Sequence, residues 1–273
     1  MNEITGLLQK PFAIKGNIMK LLITGFLFLC SIAAISQVSP HYSVKNAHSH
    51  NDYEQAKPFY TAYTARFGSM EADIFLVNDE LLVAHEQKEL PLHRTLDSLY
   101  LQPLQAAMEQ HGGYPYNDST QPLQLLIDIK TDSVATVNKL LQVLQQYPHI
   151  IHNSSINIVL TGNLPDQSTF IQYPPYILFD GVLHKQYTDS ALSRITMLSD
   201  NFKNYSTWNG VDTLPEADWQ ILKEAVAKAH ALHKKVRFWN APDNINAWKT
   251  LEQLGVDYIN TDHIAALAAF LAP

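Results

Sequence analysis

Three short segments of the chain hold side chains that could do chemistry together. The segment HSHNDYE carries His48 and His50, MEAD carries Glu71 and Asp73, and LIDIK carries Asp128 two positions before a lysine. An imidazole has a pKa near neutrality and can move protons, while clustered carboxylates can hold a divalent cation. The residue types therefore indicate proton transfer beside a metal site, provided that the fold brings the three segments together.

The elements that must position these residues follow from an alternation of two patterns. Short apolar runs rich in β-branched and aromatic residues predict strands, and longer stretches with helical spacing lie between them. We expect strands over residues 42–48, 69–76, 123–130, 156–162, 176–181, 195–200, 235–240 and 256–261, with a further extended piece over 80–85. We expect helices over residues 57–67, 95–110, 133–147, 166–172, 188–194, 216–234, 244–254 and 263–271. Eight strands that alternate with helices predict an α/β fold, a closed (β/α)8 TIM barrel.

In such a barrel the active site lies at the C-terminal ends of the strands, where the reactive residues fall. Side chains two positions apart in a strand point the same way, so Glu71 and Asp73 project together. The same holds for Asp128 and Lys130. Three carboxylates in one confined site stay ionised together only if a cation lies among them. Oxygen ligands favour a hard ion, so we predict one divalent cation, Ca2+ or Mg2+, at these carboxylates, with Asn51 as a further oxygen ligand.

The strand-end pattern resembles the PI-PLC-like phosphodiesterase superfamily, which includes glycerophosphodiester phosphodiesterases, phosphatidylinositol-specific phospholipases C and spider-type sphingomyelinases D. NAHSHNDY is similar to the AHRG opening of glycerophosphodiesterases, and its SHNDY part resembles the SHNTY stretch of eukaryotic phospholipases C. MEADIFLVNDELLVAHE (70–86) and VRFWNAPDNINAWKTLEQLGVDYINTD (236–262) are similar to further glycerophosphodiesterase motifs. LIDIK resembles their IEIK, and sphingomyelinases D have the DxK version. HSHNDY as a whole looks most like the Aim6-type branch.

The chain departs from the glycerophosphodiesterase pattern in the residues around the first histidine. Ser49 stands where an Arg is expected, and the metal-binding glutamate of the PENT motif has no clear match. Asn51 or Asp52 could replace that glutamate, and we find no counterpart of the family's insertion domain in the sequence. The resemblance therefore implies a glycerophosphodiester- or phospholipid-head-group-type substrate without fixing which.

The resemblance and the residue chemistry imply the same reaction, hydrolysis of a phosphoric diester with a His pair as general acid and base. His85 is expected to be the second histidine of the pair. His50 is expected to be the first because it adjoins Asn51, as in phospholipase C, whereas His48 is the choice under the glycerophosphodiesterase alignment. Lys130 is expected to bind a non-bridging phosphate oxygen.

Four further residues fall at or near strand ends. Tyr53 and Trp239 are expected to bind substrate, with ordinary barrel packing as the alternative, while Asn240 and Asp262 are expected to be structural. Two other functions stay open: a metal-dependent phosphomonoesterase, although such enzymes more often hold two metals, and a non-catalytic barrel that binds phosphate ligands. Attack by water or by a hydroxyl of the substrate is open as well.

The N-terminal region has the layout of an export signal. Residues 19–37 carry a Lys, an apolar run of about 15 residues and then small residues. We expect residues 1–36 to be an N-terminal extension and secretory signal peptide, with cleavage near Ser36–Gln37. Residues 37–273 are then a single secreted or periplasmic phosphodiesterase domain. A signal anchor, or lipidation at Cys30, is the alternative.

Charge and cysteine content limit the classes of partner. The formal net charge of −7 is spread without long runs, which argues against a nucleic-acid binder. Cys30 is the only cysteine, so the exported domain would have no disulfide and would depend on a packed core. The apolar run is short for a membrane span, so we expect no stable membrane insertion after signal cleavage. The expected partner is a small-molecule phosphodiester.

Overall fold

The computed structural model describes residues 42–92 and 94–272, which fold around a barrel of parallel strands. The strands are β1 (Ala47–Ser49), β2 (Ser69–Val77), β3 (Glu80–Val83), β4 (Leu123–Ile129), β5 (Ile156–Gly162), β6 (Ile177–Val182), β7 (Ile195–Asn201), β8 (Lys235–Trp239) and β9 (Ile259–Thr261). Neighbours in the series β8-β7-β6-β5-β4-β2-β1-β9 pair in parallel. A bridge from Arg237 to Tyr258 brings β8 close to β9 and nearly closes the ring. The predicted (β/α)8 TIM barrel is confirmed.

The extended piece after β2 is a hairpin arm rather than a barrel strand. β3 pairs with β2 in the antiparallel direction, with Val77 opposite Glu80. Asn78 and Asp79 form the turn in left-handed backbone conformation, which these two residue types tolerate. The hairpin turns the chain back along β2, and the backbone N–H of Ala84 donates to the carbonyl of Asp73. This return places the next residue, His85, beside the end of β2.

Helices form the outer layer of the barrel. Their bounds are α1 (Tyr60–Thr64), α2 (Gln102–Gln110), α3 (Ser133–Leu144), α4 (Pro148–Ile151), α5 (Asp189–Leu192), α6 (Glu216–Ala231), α7 (Ile245–Leu254) and α8 (Ile264–Phe270). Side-chain oxygens of Asp132, Thr188 and Asn244 accept backbone N–H groups at the starts of α3, α5 and α7. Gly255 ends α7 in left-handed conformation. These capping residues explain why the helices begin and end close to the predicted positions.

Short irregular turns account for most of the differences from the predicted elements. The first predicted strand starts with a 3-10 turn, Val44–Asn46, and the helix predicted over 95–110 starts with a π-helical turn, Asp97–Leu101. The helix predicted over 166–172 is a 3-10 helix. α4 was not predicted, because four residues carry too little periodicity to reveal a helix.

Alternation along the strands separates two apolar cores. Leu125 of β4 packs in the main core between the barrel and the helices. Leu126 belongs to a smaller cluster with Val159, Met197 and Tyr258. Because Leu126 and Asp128 point to the same side of β4, this cluster fills the barrel interior below the strand ends. An apolar layer therefore underlies the polar residues at the C-terminal face.

Some predictions concern residues that the structure does not describe. The signal segment, Cys30 and the cleavage position near Ser36–Gln37 all lie outside the described residues, so they stay predictions. Within residues 42–92 and 94–272, no helix is both long enough and apolar enough to cross a membrane.

Candidate functional site

A cavity of about 930 Å³ opens at the C-terminal ends of the strands. Most of the predicted site residues line it, namely His50, Asn51, Glu71, Asp73, His85, Asp128, Lys130 and Trp239. Two predicted site residues, His48 and Tyr53, are buried and do not line the cavity. The barrel thus brings together side chains from the ends of β2, β4 and β8, from the residues just after β1 and β4, and from the return of the β2–β3 hairpin.

The carboxylates of Glu71, Asp73 and Asp128 form a compact cluster. Asp73 in β2 stands directly opposite Asp128 in β4, and Glu71 lies two positions earlier in β2. One ligand atom from each residue lies within 4.8 Å of the others. Glu71 and Asp73 are only 4% and 1% exposed, and the Oδ1 atom of Asp73 has no hydrogen-bond partner among the described residues. An oxygen-only donor set with an unpaired buried oxygen fits a hard divalent cation.

The electrostatics of the cluster differ between its members. Burial, and then repulsion from Glu71 and Asp128, raises the pKa of Asp73 to about 6, although Lys130 opposes the rise. Burial alone would also raise the pKa of Glu71. The Arg237 guanidinium, helped by the charge of His50, instead lowers the pKa of Glu71 below its usual range. The cluster therefore contains one firmly ionised carboxylate and one that takes up a proton in mildly acidic solution.

A glycine in the neighbouring strand makes room for the Asp128 carboxylate. Gly162 stands opposite Ile129, next to Asp128, with a φ of +78°. A Cβ atom at this position would lie 1.9 Å from Oδ1 of Asp128. The carboxylate can take its place in the cluster because residue 162 has no side chain.

Lys130 lies between two of the carboxylates. Its Nζ is 2.8 Å from Oδ2 of Asp73 and 2.7 Å from Oδ2 of Asp128. Burial alone would lower the pKa of Lys130, but the charges of Asp128 and Asp73 raise it. The lysine therefore stays protonated and brings a positive charge to the edge of the cluster.

His50 is the histidine of the first segment that faces the cavity. Its Nδ1 lies 2.8 Å from Oδ1 of Asp262, and its Nε2 lies 3.9 Å from Oε2 of Glu71. Although burial alone would lower the pKa of His50, the hydrogen bond to Asp262 and the charge of Glu71 raise it. Asp262, which was expected to be structural, is the hydrogen-bond partner that orients the His50 imidazole.

His48 lies deeper in the barrel and is 0% exposed. Its Nε2 accepts a hydrogen bond from Arg237 Nη1 at 2.8 Å, so its Nδ1 carries the proton and donates to the hydroxyl oxygen of Ser69 at 2.7 Å. Burial and the charge of Arg237 lower the pKa of His48 to about 4. A neutral histidine with both nitrogens occupied is not placed to shuttle protons, which argues against His48 as the catalytic histidine.

His85 lies on the other side of the cluster and is exposed to the cavity. Its Nδ1 lies 3.5 Å from Oδ2 of Asp73 and 3.2 Å from the hydroxyl of Tyr53. The backbone N–H of His85 donates to Oε2 of Glu89 at 3.0 Å, which fixes the segment after the hairpin. Two histidines therefore flank the carboxylates, one beside Glu71 and one beside Asp73.

Tyr53 is not among the residues that line the cavity, and its role in substrate binding stays a prediction. It is buried, and its hydroxyl lies 2.9 Å from both Asn51 Oδ1 and Asp73 Oδ2. Burial and the charge of Asp73 raise the pKa of Tyr53 above its usual range, so the hydroxyl keeps its proton for donation. Asn51 adopts a φ of 45°, which directs the chain away from β1 at the cavity rim.

Sequence reasoning did not identify Arg237 and Asp180, which form the cavity floor. Arg237 Nη1 lies 3.6 Å from Glu71, and its Nη2 lies 3.9 Å from Asp180 on the far side of the barrel. Burial raises the pKa of Asp180 to about 6 against the opposing effect of Arg237. The alternation rule could have found both residues, since Arg237 precedes Trp239 by two positions and Asp180 stands near the end of β6.

Comparisons with known proteins place this site in a family. A model of the AIM6-like phosphodiesterase domain matches residues 36–172, and a model of the glycerophosphoryl diester phosphodiesterase family matches residues 235–265. Altered inheritance of mitochondria protein 6 from Kluyveromyces lactis is 27% identical over 303 residues, which cover 83% of this chain and 72% of that protein. A homolog of that protein from Arthroderma benhamiae is 29% identical over 262 residues and 82% of each chain.

A solved structure shares the fold. A glycerophosphodiester phosphodiesterase from Parabacteroides distasonis superposes with a TM-score of 0.54 at 14% identity, over 84% of this chain and 98% of that one. The two family models support an activity of the phosphodiesterase type. Because the first family model spans half of the sequence, the chain belongs to the AIM6-like phosphodiesterase domain family.

Proposed function

We propose that this chain is an exported, metal-dependent hydrolase of phosphoric diesters. The observation that carries the proposal is the cluster of Glu71, Asp73 and Asp128, with ligand atoms within 4.8 Å of one another. His50 stands beside Glu71, and His85 stands beside Asp73. Membership of a phosphodiesterase family supports the same reaction.

The carboxylates would hold one Ca2+ or Mg2+ ion, with the side-chain oxygen of Asn51 as a further ligand. Such an ion would stabilise the negative charge that develops on the phosphoryl oxygens. Lys130, which lies beside the carboxylates of Asp73 and Asp128, would bring a second positive charge to the same phosphoryl oxygens. Tyr53 holds Asp73 and Asn51 in position.

The two histidines supply one proton acceptor and one proton donor. In the reaction, an oxygen atom of water or of a substrate hydroxyl bonds to phosphorus, and the bond from phosphorus to the leaving oxygen breaks. One imidazole takes the proton of the attacking group, and the other gives a proton to the leaving alkoxide. Asp262 fixes the tautomer of His50, so that Nε2 faces the cluster. Attack by water gives a monoester and an alcohol, whereas attack by a substrate hydroxyl gives a cyclic phosphate.

Turnover of two chromogenic esters tests the proposal. The chain is freed of metal with a chelator and assayed on bis(4-nitrophenyl) phosphate and on 4-nitrophenyl phosphate, before and after Ca2+ or Mg2+ is added. We expect the metal to restore diester cleavage in the wild type and in Glu224→Ala, which changes an exposed glutamate of α6, but not in Glu71→Ala.

Two results would replace the proposal. Cleavage of the monoester alone would identify a phosphomonoesterase. Failure on both esters and on a panel of natural diesters, with phosphate ligands still bound, would identify a non-catalytic binding barrel.

Export is part of the proposal and rests on the segment before residue 37. Mass spectrometry of the protein recovered from cells should find Gln37 as the first residue. A chain that keeps residues 19–36 would overturn the secreted or periplasmic assignment.

A further inference from the structure

Asp52 is a buried carboxylate that the proposed reaction does not use. It lies in the turn between β1 and α1, directly after Asn51, and is 0% exposed. It is not among the residues that line the cavity, and the hydrogen-bond donors described around it are all neutral. Burial of a carboxylate beside neutral groups costs folding free energy unless hydrogen bonds compensate for the lost water. The hydrogen bonds of Asp52 therefore indicate what this residue does.

Three segments of the chain donate hydrogen bonds to the Asp52 carboxylate. The hydroxyl of Ser49, at the end of β1, donates to Oδ1 at 2.7 Å. The backbone N–H of Phe59, just before α1, donates to Oδ2 at 2.6 Å, and the hydroxyl of Tyr100 donates to Oδ2 at 3.1 Å. Asp52 and these three donors are called the Asp52 brace below. Because Ser49 lies before the turn and Phe59 lies after it, the brace holds the two ends of the turn together.

Tyr100 connects the brace to β2. It belongs to the π-helical turn Asp97–Leu101 and is 0% exposed. Its hydroxyl oxygen lies 3.3 Å from the backbone carbonyl oxygen of Glu71 as well as close to Asp52. Single π-helical turns are frequent at functional sites. Here the π-helical turn directs Tyr100 between the turn after β1 and the strand that carries Glu71.

The backbone of the braced turn is strained just before α1. Phe59 has a φ of 63° and a ψ of −58° and is the central residue of a γ-turn, in which the Tyr60 N–H donates to the carbonyl of Pro58 at 2.7 Å. This conformation is rare and strained, and it persists only where the surrounding structure fixes it. The hydrogen bond from the Phe59 N–H to Asp52 fixes the backbone at this point.

The braced turn carries two residues of the candidate site. His50 and Asn51 both line the cavity, and Nε2 of His50 lies 3.9 Å from Oε2 of Glu71. The sequence left either Asn51 or Asp52 as a replacement for the missing metal-binding glutamate, and only Asn51 of these two lines the cavity. Asp52 bonds to the interior side of the same turn.

We propose that Asp52 is a positioning residue, which acts with Ser49 and Tyr100 to fix the turn that presents His50 and Asn51 to the cavity. This inference rests on the proposed function and adds to it a residue that contacts neither the metal nor the substrate.

Asp52 contributes through the geometry of its hydrogen bonds, so an isosteric amide should replace it. In Asp52→Asn, the amide oxygen can accept from the Phe59 N–H and the Tyr100 hydroxyl, and the amide nitrogen can donate to the Ser49 hydroxyl oxygen. Asp52→Ala removes all three hydrogen bonds. A metal ligand or a proton-transfer group would lose its role in both variants, because both remove the charge.

Calorimetry with Ca2+ or Mg2+ and turnover of bis(4-nitrophenyl) phosphate test the brace in the full chain. We expect Asp52→Ala to weaken metal binding by about tenfold, as is typical when a supporting partner of a metal site is lost. We expect kcat/KM to fall by about a hundredfold, because a misplacement of about 1 Å has that effect. Asp52→Asn should stay within about twofold of the wild type in both measurements.

Asp257→Ala is the matched control. Oδ2 of Asp257 also accepts a backbone N–H, that of Val236 at 2.8 Å, but Asp257 does not line the cavity. This variant should lose stability and keep the wild-type metal affinity and kcat/KM. Every variant is measured at a temperature at which circular dichroism shows it to be folded, so that loss of stability alone does not change the result.

NMR reads the position of His50 without metal or substrate. The Asp262 carboxylate accepts the Nδ1 proton of His50 in the folded chain, and this bond sets the tautomer of the neutral imidazole. The nitrogen shifts should show the proton on Nδ1 in the wild type and in Asp52→Asn, and a mixture of both tautomers in Asp52→Ala. This measurement decides on the brace even if the chain cleaves no diester.

Two results would overturn the proposal. If Asp52→Ala keeps both the His50 tautomer and the wild-type metal affinity, Asp52 has no positioning role. If Asp52→Asn loses as much as Asp52→Ala, its charge is what matters. Ser49→Ala keeps the test decisive if Asp52→Ala fails to fold. It removes one donor of the brace and should weaken metal binding by about threefold to tenfold, and an unchanged affinity would overturn the proposal.

Discussion

His50 depends on a partner from the other end of the chain, 212 positions away. Asp262→Asn removes the charge of this partner and keeps the length of the side chain. We expect kcat/KM for a diester to fall by about a hundredfold, the share of one general acid or base. The pKa of His50 should fall at the same time, because the hydrogen bond to the Asp262 carboxylate helps to raise it. A pH–rate profile and an NMR titration of the imidazole measure the two effects.

A second His–Asp pair provides the matched control. Asp257 lies 2.8 Å from Nε2 of His230, and neither residue lines the cavity. Asp257→Asn should therefore keep the wild-type pH–rate profile. If Asp262→Asn also keeps that profile, Asp262 does not tune the group whose ionisation controls the rate.

Asp180 links the stability of the barrel to pH. Its pKa of about 6 in the folded protein lies above the value of 3.8 for an ordinary aspartate, chiefly because the side chain is buried. The folded state therefore holds this proton longer, so the stabilisation is present near pH 4 and is lost as the pH rises through about 6. The difference between the two pKa values corresponds to about 3 kcal/mol.

Urea denaturation of the wild type and Asp180→Asn at several pH values measures this linkage. The free energy of unfolding of the wild type, taken relative to the variant, should fall by about 3 kcal/mol between pH 4 and pH 7. A difference that stays constant with pH would show that Asp180 does not titrate in this range.

At the scale of elements, the end of β5 decides whether the carboxylate of β4 can reach the cluster. Gly162→Ala would place a methyl group 1.9 Å from Oδ1 of Asp128 at a φ of +78°. We expect the affinity for Ca2+ or Mg2+, measured by calorimetry, to fall at least about tenfold, because supporting residues of a metal site typically contribute that much. Gly113→Ala is the control, since Gly113 has a φ of +96° and no atom within 4 Å of the added Cβ. Equal loss of affinity in both variants would trace the effect to backbone strain instead of the clash.

The sequence predicts the barrel because each strand is a short apolar run bounded by helix caps or turns. Since Glu71, Asp73 and Asp128 fall near the C-terminal ends of their strands, the barrel then predicts that they lie at one face. The sequence predicts less well which side chains are buried in the barrel and which reach the cavity. His48 and His50 are two positions apart, and only the observed end of β1 at Ser49 shows which of them reaches the cavity. Contacts across the barrel, such as Arg237 with Glu71, depend on how the ring closes, which local patterns do not encode.

At the scale of the whole molecule, the barrel holds three carboxylates closer together than their charges favour. Lys130 and Arg237 offset part of this repulsion. A divalent cation that binds only the folded barrel should stabilise it further. At a metal concentration of about 100 times the Kd, the gain is about 2.7 kcal/mol, or about 5–10 °C in Tm for a domain of this size. Thermal unfolding of the metal-free chain with and without added Ca2+ or Mg2+ measures this gain.

The pH dependence of that stabilisation ties it to Asp73. The ion binds a deprotonated carboxylate, and the pKa of Asp73 in the metal-free protein is about 6. The rise in Tm should therefore be about half its full value at pH 5 and should reach its full value above about pH 7, because the ion then no longer competes with the proton. Glu71→Gln keeps the shape of the site but removes a ligand charge, so it should lose most of the rise at every pH. A rise of equal size in the wild type and in Glu71→Gln would place the ion elsewhere on the molecule and would remove the basis for metal-assisted hydrolysis at this cluster.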